Sequence, residues 1–140
     1  MIPMAPIDIS PYPELRLMLH AIWAGMAMGV LSGALIGMFF AREDLMGGYN
    51  SWRRRLTRLG HISFFGLALV NATFVLTRML VPVDPGMARL AAMCFLVGAA
   101  SMPTVCFLSA WKQPFRHLFF VPVGGVAIGI FVVLSALLKH

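Results

Sequence analysis

Carboxylates are scarce in this chain. Asp8, Glu14, Glu43, Asp44 and Asp84 are its only acidic residues among 140, and none lies in the middle of an apolar segment. Proton-coupled carriers and pumps work through an intramembrane carboxylate that binds and releases charge, so a small-molecule carrier or channel ranks third among the functional readings. Cysteine is rarer still. Cys94 and Cys106 stand in one apolar segment, where a separation of twelve helical residues means about 18 Å of rise and about 120° of rotation, too far to pair. Neither belongs to a CxxC or a Cys/His cluster, so both read as small core residues and imply no redox compartment. A Ser-His-Asp arrangement, an HExxH motif and a phosphate-cradling glycine loop after a strand are also missing, which removes the footing for hydrolase and nucleotide chemistry.

Apolar residues fill the space these absences leave. With 60% hydrophobic residues, 11% charged residues and a mean hydropathy of +0.87, too little polar surface remains to face water, and the chain belongs in a membrane. The net charge of +6 comes from basic residues that flank apolar segments and form no basic face. Their counterpart is therefore anionic lipid, and nucleic acid is excluded as a partner.

A bilayer core of about 30 Å takes about 20 helical residues. Four segments meet that length, at approximately 15–41, 58–81, 88–111 and 115–138, preceded by a proline-rich arm over 1–13 that lacks the apolar core and cleavage site of a signal peptide. The separators carry turn chemistry: Gly47–Gly48 in the first, Pro82, Pro85 and Gly86 in the second, Pro114 in the third. The last two are short, so consecutive helices are antiparallel neighbours. The expected fold is one all-α domain over 1–140, an integral-membrane four-helix up-down bundle. Arg42, Arg53, Arg54, Arg55, Arg58, Lys112 and Arg116 lie in or beside the 1–2 and 3–4 links, against Arg16, Arg78, Arg89 and Lys139 at the other end. That bias puts both links in the cytoplasm and both termini on the non-cytoplasmic side, in a membrane of the bacterial inner-membrane kind.

Two patterns invite a functional reading. In the first span Gly25, Gly29, Gly33 and Gly37 recur every four residues, a slowly drifting stripe along which backbones can approach closely. It serves either as a face for a helix of another membrane subunit or as a contact with another span of this chain. In the second and fourth spans, His61 and His117 fall at similar depth near the basic links. Each has an arginine close by (Arg58, Arg116) and a small residue seven positions on (Ala68, Gly124). Such a constellation suits one b-type haem: imidazoles as axial ligands to the metal, arginines meeting the propionates, small residues making room for the porphyrin. The second and fourth helices of a square bundle are diagonal, so the haem would bridge its centre. The competing reading makes these interfacial histidines without a ligand, and two histidines alone do not define a metal site.

The remaining polar residues are read more simply. His20, with Trp23 a turn on, lies near the outer end of the first span, where interfacial hydrogen bonding is favoured over a quinone headgroup. The eleven methionines are scattered rather than clustered for copper. Pro103 kinks the third span to fit a neighbour, and Asn71 is expected to link helices through its amide. The resulting expectation is a small subunit of a respiratory or photosynthetic type of electron-transfer complex, either with haem b or without any cofactor as a structural or assembly subunit, and without an autonomous catalytic site. The topology is directly testable. With single cysteines added for labelling, a membrane-impermeant reagent applied from outside should reach positions 2–8 and miss 47–52, and the reverse pattern would invert the assignment.

Overall fold

A computed structural model of the chain describes residue 9 and residues 11–138. It contains four helices long and apolar enough to cross a membrane: α1 (Pro13–Phe39), α2 (Trp52–Leu80), α3 (Pro85–Trp111) and α4 (Phe120–Leu137). A short 3-10 turn, Leu45–Gly47, follows α1, and a 3-10 segment, Gln113–Phe119, leads into α4. The architecture is an all-α up-down bundle, with no strand among the described residues. Most of the arm expected over 1–13 lies outside those residues, as do Lys139 and His140.

Helix ends follow local capping chemistry more closely than hydropathy does. α2 begins at Trp52, ahead of the expected 58, because the Ser51 hydroxyl accepts the Arg54 N–H at 3.3 Å and the arginine block continues as helix. α3 begins with Pro85 in its first turn, and the Asp84 carboxylate accepts from the N–H groups of Gly86 and Met87 at 2.9 and 3.1 Å. α4 begins later than the expected 115, since the residues after Pro114 wind as a tighter 3-10 helix, which advances about 120° per residue instead of about 100°. The link between α1 and α2 turns through consecutive left-handed residues, Met46 (φ 57°), Gly47 (φ 87°) and Gly48 (φ 90°), which is what the glycine pair supplies.

Arg54 organises this link. Although it is part of the arginine block, it is only 2% exposed. Its Nε donates to the Leu45 carbonyl at 2.9 Å, its Nη2 to the Arg42 carbonyl, and its guanidinium lies 4.9 Å from the Phe40 ring centre. The charge thus replaces water with carbonyl oxygens and an aromatic face, and ties the end of α1 to the start of α2.

The helices pack in chain order, α1 on α2, α2 on α3 and α3 on α4, and α1 also meets α3 over a shorter stretch. The shared core lies towards the end that holds the chain termini. There Leu15, Met18 and Ile22 of α1 meet Phe74 and Val75 of α2 and the small residues Ala88, Ala91 and Ala92 of α3. α3 packs against both α2 and α4, and a space of about 320 Å³ lies between α2 and α4, lined by Val70, Thr73 and Phe74 of α2, Phe95 of α3 and Ile130 and Val133 of α4. Asn71 is buried but does not link helices as expected: its amide donates to the Leu67 carbonyl of its own helix at 2.7 Å, and its Oδ1 has no partner. The back-bond is available at every turn of a helix, whereas a cross-helix bond needs a donor on the facing helix.

The closest backbone approach lies where the stripe on α1 gave no hint of it. A Cβ on Gly125 of α4 would stand 3.1 Å from the Cys94 carbonyl and 3.6 Å from the Gly98 nitrogen, both α3 backbone atoms, whereas one on Gly124 would meet nothing within 4 Å. Adjacent glycines therefore predict opposite outcomes. Gly125→Leu should cost roughly 1–3 kcal/mol through forced separation of α3 and α4, read as a lower unfolding midpoint in detergent, while Gly124→Leu should leave the midpoint of the isolated chain unchanged. Equal effects would contradict this packing.

Candidate functional site

His61 is the most distinctive polar side chain inside a span. It lies half-buried on α2 and faces α1. Its Nδ1 is 3.0 Å from the Ser32 hydroxyl, which itself donates to the Gly29 carbonyl at 3.1 Å. A hydroxyl has one proton, and here the carbonyl receives it. With the hydroxyl's one proton directed to the Gly29 carbonyl, Nδ1 is the donor to Ser32, and Nε2 is the ring nitrogen without a partner on Ser32. The ring stacks edge-on against Phe65, with centroids 5.6 Å apart.

The α1 glycines make this arrangement possible. A Cβ on Gly33 would lie 2.7 Å from His61 Cε1, one on Gly29 2.6 Å from the Phe65 ring, and one on Gly25 3.4 Å from the Phe64 carbonyl and 3.6 Å from Ala68 Cβ. Of the two uses expected for the stripe, contact within the chain is the one seen for Gly25, Gly29 and Gly33, all against α2. Gly37 meets nothing within 4 Å. Ala68 faces α1 at Gly25 and is buried there.

His117 has different surroundings. It is exposed, on the 3-10 segment, which packs against α3 and α4. Arg116, from the same segment, shares a recess with Trp52, Arg55 and Leu56 of α2. Those α2 positions lie about 120° to 180° around the helix from His61. His61 thus faces α1, whereas His117 is exposed on the 3-10 segment, and Gly124 lies within about 40° of the His117 direction on the winding of the intervening residues. Arg58 packs over Tyr49 at 4.5 Å, donates to the Tyr49 carbonyl at 3.3 Å, and lies 5.9 Å from the Phe40 ring. His20 is exposed, with Nδ1 2.7 Å from the Arg16 carbonyl one turn back. Among the described residues no three of His, Cys, Asp and Glu come together as a metal-binding group.

Above Thr57 and Phe64 of α2, the divergence of α1 from α3 opens a lateral groove of about 800 Å³, flanked by Met28 and Ile36 on one side and Pro103 and Phe107 on the other. Its hydroxyls are already engaged: Ser32 donates to Gly29, Thr57 to the Arg53 carbonyl at 2.9 Å, and Thr104 to the Ala100 carbonyl at 2.6 Å. The groove thus offers hydrocarbon and no free donor.

Sequence reasoning missed Ser32, Arg54 and the recess beside Arg116. Ser32 left a signal, since a hydroxyl residue between Gly29 and Gly33 sits on the same face at helical spacing. Arg54 left none, because its neighbours Arg53 and Arg55 are exposed. Comparison with protein-family models, curated proteins and solved structures finds no match, so function is argued from these residues themselves.

The tautomer can be measured. In ¹⁵N spectra of histidine-labelled protein, the His61 Nδ1 should show a protonated shift and Nε2 an unprotonated one. Ser32→Ala should turn this into a mixture of tautomers, and Gly33→Ala should do the same by displacing the ring. An unchanged pattern in both variants would disprove the Ser32–His61 bond.

Proposed function

We propose that this chain is a small four-span subunit of a larger electron-transfer assembly, respiratory or photosynthetic in type, in a bacterial inner membrane. Its own contribution is structural, through helix faces that meet neighbouring subunits. The observation that supports this reading is a set of glycines that do nothing inside the chain: Gly37, Gly66 and Gly124, on three different helices, have no protein atom within 4 Å of where a Cβ would be. A glycine facing lipid forfeits side-chain packing, and a helix of another subunit recovers it by approaching the bare backbone.

A second reading gives the subunit a haem b, and its support is the engagement of His61 Nδ1 by Ser32, which leaves Nε2 as the nitrogen that would meet iron. His61 would supply one axial nitrogen and His117 the other, with Arg58 and Arg116 for the propionates. Quinone remains a proposed ligand of the assembly rather than of a defined site on this chain.

One preparation tests both readings. A tagged chain extracted from its native membrane in mild detergent should migrate within a complex that shows a reduced-minus-oxidised haem spectrum. Gly66→Leu and Gly124→Leu should release it as free subunit while leaving the unfolding midpoint of the isolated chain unchanged. Migration at its own mass in the wild type would refute the subunit role. Loss of the haem spectrum from the isolated chain on His61→Ala would establish the haem reading, and an isolated chain without a haem spectrum would remove it.

A further inference from the structure

The second polar feature of the chain lies away from His61, in the recess where the start of α2 meets the link between α3 and α4. Trp52, Arg55 and Leu56 line it from α2, Ser109 from the last turn of α3, and Gln113 and Arg116 from the 3-10 segment, around a space of about 320 Å³. Arg55 and Arg116 bring two guanidinium groups to one small recess, and no carboxylate lines it. Both arginines are exposed, so water screens their mutual repulsion, and an anion seated between them would be attracted by both.

Ser109 is the independent sign. It is 0% exposed, and its hydroxyl has no hydrogen-bond partner. The other serine and threonine hydroxyls within the helices donate to a carbonyl three or four residues back, as Ser101 does to Val97 at 2.6 Å and Ser135 to Phe131 at 2.7 Å. Ser109 could do the same and does not. A buried hydroxyl left unpartnered costs free energy unless a group absent from the chain satisfies it. Gln113 adds amide donors at the rim, and the recess sits at the positive end of the α2 dipole. Donors and positive charge thus converge with no acceptor among the lining side chains except the Gln113 and Ser109 oxygens.

We propose that this recess binds a phosphate group, held by Arg55 and Arg116 and by the Ser109 hydroxyl. Guanidinium groups match phosphate oxygens in pairs, and a hydroxyl supplies a third donor from within. The recess lies at the end of the bundle that carries the basic links, at the level of Trp52 and Trp111, where the headgroups of a bilayer stand. The source favoured by that position is the headgroup of an anionic phospholipid, and free phosphate is the alternative source of the same chemistry.

Native mass spectrometry of the full chain, released from nanodiscs of phosphatidylcholine containing phosphatidylglycerol, reads the occupancy. The wild type should retain phosphatidylglycerol in preference to phosphatidylcholine. Arg55→Gln and Arg116→Gln should each lower that retention by roughly tenfold, and Ser109→Ala by less, since a charge-assisted contact outweighs a neutral one. Arg53→Gln, which removes the same charge from the neighbouring position outside the recess, should leave retention within about twofold. Unfolding midpoints of all four variants control for folding. Retention that withstands millimolar inorganic phosphate supports the lipid source, and retention competed away by it supports the recess as a site for free phosphate. Equal retention in every variant, or equal loss with Arg53→Gln, would overturn the proposal.

Discussion

Helices in a bilayer are not pressed together by water, because lipid tails are as apolar as leucine. What holds this bundle is therefore the distance at which its backbones can meet, and that distance is set by small residues. Ala88, Ala91 and Ala92 of α3 are all buried at the shared core, Gly98 and Gly125 let α3 and α4 approach to near backbone contact, and Gly60 of α2 packs against Cys106 and Phe107 of α3. α3, which packs against α2 and α4 and also meets α1, is the helix with the most buried small residues.

Polar groups follow from the same constraint. Without water to satisfy them, hydroxyls inside the spans return their protons to their own helix, and Asn71 does likewise with its amide. Two departures mark the polar features of this chain. Ser32 gives its proton to Gly29 but accepts another from His61, which joins α1 to α2 and sets the imidazole tautomer. Ser109 gives its proton to nothing in the chain. The first departure is complete within the chain, and the second leaves a donor open to a group from outside it.

Arginine behaves in three ways within one short block. Arg54 turns inward and ties the preceding link through carbonyl oxygens, Arg53 lies over Trp52 at 5.6 Å, and Arg55 faces the recess with Arg116. The helical rotation of about 100° per residue sends successive side chains to different faces, so three identical residues meet a core, an aromatic ring and a cleft. A count of basic residues by side treats them alike, although only the exposed ones contribute to attraction for anionic lipid.

The sequence by itself determined that the chain spans a membrane four times, since hydropathy and length act locally and need no knowledge of partners. It also determined the turn at Gly47–Gly48 and the stops at Pro82, Pro85 and Pro114, whose backbone limits are properties of single residues. Which face of each helix meets which neighbour was decided only by the tertiary structure. The glycine stripe of α1 was legible, but its choice of α2 over another subunit depended on where His61 and Phe65 stand once both helices are packed. The pairing of His61 with His117 assumed a square arrangement with α2 and α4 across a diagonal. The structure places His61 against α1 and His117, exposed, on the 3-10 segment that leads into α4. Rotation about a helix axis and lateral order in the bundle are collective results of packing, and no local pattern of residues encodes either one alone.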